Sequence, residues 1–218
     1  MRRHLLLSTL FVASLFGGLG AAVALESGPP ASTKDKLSFL PGSFQILGVT
    51  PEQSAGRFHD PISDFGLNPA VLIFTRAEPD QLTKGHDLSK LIKQLDEVVG
   101  KYPEVQLGGC VVFMNDGGYR DAVQDNSKKD ELPKAIEFKD RRQQQIKDFA
   151  KNIGLEHVAL GIGTVASPEK YNINPNAELT VLVCNRLQVA ANFAYGKDEK
   201  PDATAIMDSI NKMLPAKK

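Results

Sequence analysis

Two things are scarce in this chain: cysteine, with two in 218 residues, and any surplus of charge, with 26 basic against 26 acidic side chains. Charge balance leaves no electrostatic footprint for nucleic acid. Loss of residues 1–24 would change this little, since it removes Arg2 and Arg3 and leaves 24 minus 26, about two net negative charges. The cysteines, Cys110 and Cys184, each stand inside a strand-like run, "GGCVVFMN" and "ELTVLVCNR". An even count invites a disulfide where a chain is exported, but thiols in such runs read as small buried hydrophobes. No cysteine lies near residue 24, which argues against a lipid-anchored N-terminus. Composition points to neither disorder, nor a repeat array, nor a coiled coil.

What is present begins with Arg2, Arg3 and His4, then "LLLSTLFVASLFGGLGAA", then Ala22-Val23-Ala24. A basic start, an apolar middle and an A-x-A end make residues 1–24 a predicted signal peptide, cut before Leu25. The rival reading is an uncleaved anchor, which Gly17, Gly18 and Gly20 weaken as a membrane helix. The mature chain is then predicted to be exported, periplasmic or extracellular, with no membrane attachment. Residues 25–40, "LESGPPASTKDKLSFL", lack periodicity and read as a flexible, exposed leader. Residues 41–218 read as one domain, long enough to bury a developed core.

Within that domain "GSFQILGVT" is a candidate short strand, and "AVLIFTR" at 70–76 is a continuous apolar run of the kind a strand buried on both faces needs. Leu88, Leu91, Ile92, Leu95, Val98 and Val99 recur at helical spacing, with Asp87 as predicted N-cap and Gly100 as predicted stop. "VQLGGCVVFMND" is a second buried strand, so strand, helix and strand form a right-handed parallel crossover. Residues 119–140 are polar and read as an insertion or irregular helix, followed by a helix from about Asp140. "LEHVALGI" is a short strand. "ELTVLVCN" and "LQVAANFAY", parted by Asn185-Arg186, read as a β-hairpin, and a last helix starts at Asp202.

This ordered series resembles the thioredoxin-fold superfamily. More narrowly, it resembles a group of exported bacterial thioredoxin-like proteins with an extended leader and a "G-x-N-P" stretch before the first core strand, here Gly66-Leu67-Asn68-Pro69. The resemblance spans roughly residues 40–215 and implies an α/β fold, a three-layer α/β/α sandwich on a mixed sheet ordered β-α-β, connecting helix, β-hairpin, α. It also implies a Cys-x-x-Cys after the first core strand, where a helix N-terminus tunes the thiolate. Here that stretch reads "FTRAEPDQLTKGHD", without cysteine. In the narrower group a cysteine pair can precede "G-x-N-P"; Asp60-Pro61-Ile62-Ser63 stands there, so Asp60 and Ser63 mark a degenerate redox position. The family's cis-proline site is occupied by Glu178, with Pro175 three residues earlier. Without two neighbouring thiols no mixed disulfide is released intramolecularly, so dithiol exchange is not expected.

His59, Asp60, Ser63 and Asp64 suggest a metal site through His59 and Asp60, or a triad, but one local histidine and four loop neighbours rarely give either geometry. A capped turn explains them as well. His86 and His157 have no cysteine or acid at metal spacing. Gly161-Ile162-Gly163-Thr164-Val165-Ala166 has the G-x-G-x-x-A form, yet Ser167-Pro168 follows where a nucleotide site needs a helix. Asp116 in "NDGG" fits an ordinary turn. At the tip of the first core strand Arg76, Glu78 and Asp80, opposite Asn176 and Glu178, form the predicted binding face for a protein or peptide partner. Cys184, at a strand end beside Arg186, is the candidate for a single-cysteine redox or peroxide enzyme, the alternative to a redox-inactive binding module. No cofactor is expected.

Overall fold

A computed structural model describes residues 25–163 and 170–215 of the chain. The predicted signal peptide, residues 1–24, and the stretch Thr164 to Glu169 lie outside the described residues. Seven strands form one mixed sheet: β1 (Ile46–Thr50), β2 (Phe58–His59), β3 (Ala70–Thr75), β4 (Gly108–Phe113), β5 (Ala159–Gly163), β6 (Leu179–Asn185) and β7 (Gln188–Tyr195), in the order β2-β1-β5-β4-β3-β6-β7. The described helices are α1 (Pro61–Phe65), α2 (Asp87–Lys101), α3 (Tyr119–Gln124), α4 (Leu132–Ile153) and α5 (Ala203–Asn211). All six residues of β3 and of β4 are buried, which is why these strands read as unbroken apolar runs rather than alternating ones. They pair in parallel across the α2 crossover, while β6 pairs antiparallel with β3, and β7 with β6. This is the mixed α/β arrangement that the sequence predicts.

Alternate residues of the strands face opposite sides. Val71, Ile73, Val111, Phe113, Val181 and Val183 join one core cluster with the inner stripes of α2, α4 and α5. Leu72, Phe74, Cys110, Val112, Leu182 and Cys184 join the other. That second face carries no long described helix; it is covered by α1 through Ile62, by Tyr171 and Ile173, and by Phe44. Phe44, Phe74 and Tyr171 stack with ring centroids 5.0 to 5.6 Å apart. The third layer is therefore thin.

The leader adds to it: most of residues 25–40 are exposed, as expected, while Ser27 and part of the leader backbone dock on the sheet. Ser27 is buried, its hydroxyl 2.6 Å from that of Thr180. The Asn192 side-chain amide donates to the carbonyls of Ser27 and Pro29. Ser32 N–H donates to Val189, Val189 N–H to Ser38, and Leu40 N–H to Leu187, so the leader lengthens the sheet at the β7 edge. A Pro- and Ser-rich stretch without periodicity can do this because its backbone, not its side chains, makes the contacts.

Several local expectations shift for identifiable reasons. The hairpin turn is Arg186-Leu187, not Asn185-Arg186: both have positive φ, 51° and 65°, as a two-residue I′-like connection requires, and Asn185 pairs with Gln188. α2 is capped by His86, whose Nδ1 accepts the Leu88 N–H at 3.2 Å, not by Asp87. Gly100 lies inside α2 and does not end it; a Cβ there would come 2.3 Å from the His157 ring. α4 starts at Leu132, eight residues before Asp140, after a 3-10 stretch at Asn126–Glu131. Gly161 and Gly163 belong to β5, where a Cβ would strike Ile46 and Val112, so the first two glycines of the nucleotide-like pattern serve packing; its remaining positions lie outside the described residues.

Asp96, on the inner side of α2, is 2% exposed and accepts the backbone N–H groups of Glu156, His157 and Val158, with Lys93 alongside. Burial pushes its pKa up, but these donors more than offset it and hold the carboxyl below its ordinary range. One side chain thus fixes the turn between α4 and β5.

Candidate functional site

Two depressions lie at opposite ends of the sheet. The first, about 530 Å³, sits at the C-terminal end of β3 and is walled by the loop leading into α2, by Glu178 and Leu179 at the start of β6, and by residues 196–201 after β7. His86 lines it. With Nδ1 occupied as a cap acceptor, a neutral His86 carries its proton on Nε2 and is a donor. Lys200 reaches Asp87 across the rim at 3.4 Å. Among the described residues, the side chains of Glu178, Lys197 and Asp198 make no hydrogen bond or ion pair, and all three line the cleft.

The predicted binding face divides here. Glu178 lines the cleft, and Arg76 braces it, donating from Nε to Ala177 O at 3.2 Å and from its backbone N–H to Glu178 O. Glu78 and Asp80 turn away toward α4, where Glu78 pairs with Arg142 and Asp80 accepts from Gln145 at 2.9 Å. Asn176 is exposed and donates its backbone N–H to the Asn174 side chain. His86 was not in the sequence-based set; its one signal was a histidine directly before a predicted helix.

The second depression, about 750 Å³, lies at the N-terminal ends of β3, β4 and β5 and is lined by Arg57, Phe58, His59, Phe65, Gln106 and His157 among others. The loop from Gly56 to Pro69 belongs to this end. A strand of six residues separates it from the cleft, about 20 Å, so Asp60 and Ser63 do not border the cleft. Asp60 caps α1, accepting from Ile62 N–H at 3.0 Å, from Phe44 N–H at 3.3 Å and from the Ser63 hydroxyl at 2.5 Å. His59 instead pairs through Nδ1 with Asp64 at 2.6 Å, and its Nε2 has no partner among the described residues. Serine and histidine thus bind different carboxylates, and no triad forms. No group of three His, Cys, Asp or Glu able to hold a metal occurs among the described residues. Asp116 accepts the Gly118 and Arg120 N–H groups and is a turn residue.

Both cysteines are free and buried. They stand on β4 and β6 with β3 between and offset by two residues along it, about 12 Å apart by strand geometry, beyond the ~7 Å reach of a disulfide. Burial, with the Asp64 charge adding, pushes the Cys110 thiol up to about 12. Burial alone pushes Cys184 up to about 12. Cys184 is 1% exposed: its strand-end position is sealed by the second core and the leader-bound hairpin.

Parallel β3-α2-β4, the antiparallel β6-β7 hairpin and the closing helix α5 on the α2 face define a thioredoxin-like fold. Solved structures agree. A DsbF homologue from Corynebacterium diphtheriae superimposes with a TM-score of 0.54 at 11% identity, over 94% of this chain and 99% of that one. An uncharacterized conserved protein from Geobacillus kaustophilus gives 0.50 at 13%, over 87% of each chain. No protein-family model and no curated protein matches the sequence. At such identities the likeness is one of fold. Glu178 stands directly before β6, and the cis peptide bond among the described residues is Thr50–Pro51, at the other end of the sheet.

Proposed function

We propose that this chain is an exported thioredoxin-like binding domain without thiol chemistry, whose cleft beside His86 and Glu178 takes an extended segment of a protein or peptide partner. One observation carries the reading: the fold's usual site has kept a cleft but no sulfur, while both thiols are buried and held neutral near pH 7. A thiol that ionises only near 12 supplies almost no thiolate at neutral pH, and access is closed as well. The cleft has what a polar main chain needs, a donor at His86 and an unpaired carboxylate at Glu178, beside apolar Ala77 and Leu82. Export rests on the residue 1–24 pattern; no described helix is long and apolar enough to cross a membrane.

Alkylation tests the reading. Folded protein treated with iodoacetamide at pH 8 is expected to take no label within the time that unfolded protein takes two. Rapid labelling of Cys184 in the folded state would overturn it in favour of the single-cysteine enzyme.

A further inference from the structure

The buried face of α4 includes Ala135, Arg142, Ile146, Phe149 and Ala150, so a guanidinium occupies a place in an otherwise apolar stripe. Arg142 is 1% exposed. Its Nη1 is held by Glu78, from the loop after β3. Its Nε and Nη2 are buried and have no hydrogen-bond partner among the described residues. These two nitrogens form one edge of the planar fork, an edge on which a guanidinium binds two oxygens of a single oxyanion. Leaving both donors unpaired in the interior costs stability. An arginine kept under those terms points to a ligand.

The surroundings say how such a ligand would enter. The Glu78 side chain is 43% exposed, so it forms the outer member of the pair and Arg142 the inner one. Asp80, two residues on, is tied to α4 through Gln145, which keeps the loop in place if Glu78 leaves. Two anions on one guanidinium repel each other, so an entering oxyanion and Glu78 compete.

We propose that Arg142 anchors an oxyanion site closed by Glu78, its Nε–Nη2 edge taking a carboxylate or a tetrahedral phosphate or sulfate while Glu78 moves into solvent. The site lies behind the 76–82 loop, outside the cleft, and does not depend on peptide binding there.

Thermal unfolding at fixed ionic strength, with chloride replaced by sulfate or by acetate, tests it. The wild-type Tm is expected to rise by about 2–5 °C in the anion that binds, and the two salts tell tetrahedral from carboxylate recognition. Arg142→Met should lose that rise; Glu78→Gln should reach it at several-fold lower anion concentration. If Arg142→Met does not fold, Arg142→Lys, which keeps charge without the fork, should still lose at least tenfold in anion affinity. Equal responses in wild type and Arg142→Met, a full response in Arg142→Lys, or no response in wild type would each overturn the site.

Discussion

The two ends of the sheet use the same residue types differently. At the N-terminal end carboxylates are committed to the backbone: Asp60 caps α1 and holds Phe44, and Asp96 gathers three consecutive amides. At the C-terminal end Arg76 and His86 brace the loops with one atom each, and Glu178 is left unpaired over a cleft. A carboxylate surrounded by backbone donors is scaffold, whereas one beside a cavity with none is available to a partner. In the loop that looks most like an active site in sequence, with histidine, two aspartates and a serine, Asp60 is committed to capping α1 and holding Phe44.

Substitutions can sharpen or break this contrast. Asp96→Ala should cost the most, about 2–4 kcal/mol, because three buried amides lose their acceptor; chemical denaturation measures it. The folded pKa of Asp96 is depressed, so its contribution is present above the unfolded carboxylate pKa near 4 and is lost as pH falls through the lower folded value. The acid limb of the stability curve should therefore be shallower in Asp96→Asn than in wild type, and an unchanged limb would contradict the assignment. Asp60→Ala comes next, at about 1–2 kcal/mol for a lost N-cap, with thiol protection of Cys110 as a second readout of the same end. Glu178→Ala should be the mildest, within about 0.5 kcal/mol of wild type, yet should change the set of extended peptides retained by immobilised protein. A large stability loss from Glu178→Ala would place it among the scaffold residues and erase the contrast.

Much of the fold was legible in the chain. "AVLIFT" and "GGCVVF" announce strands buried on both faces, and Leu88, Leu91, Ile92 and Leu95 announce α2, because burial imposes a period that local sequence must carry. The cleft's position followed from the order of elements and Glu178 from its register, but His86 did not, since a histidine cap has no strong sequence signature. Arg142 falls on the stripe of Ile146, Phe149 and Ala150, but an arginine's identity gives no sign that it is buried. Its partner Glu78 lies 64 residues earlier. His59 and His157 share a cavity although neither their spacing nor their neighbours hint at it.

The sequence by itself determined which segments are strands and helices, that no Cys-x-x-Cys exists, and that charge is balanced, since each depends on residue identity or local period. The tertiary structure alone decided that the leader docks on the sheet and that Asp60 and Ser63 lie at the far end from the cleft. Those outcomes depend on which backbone groups and side chains meet across more than a hundred residues, as Ser27 meets Thr180. Hydrogen bonds and burial at that range leave no periodic trace along the chain.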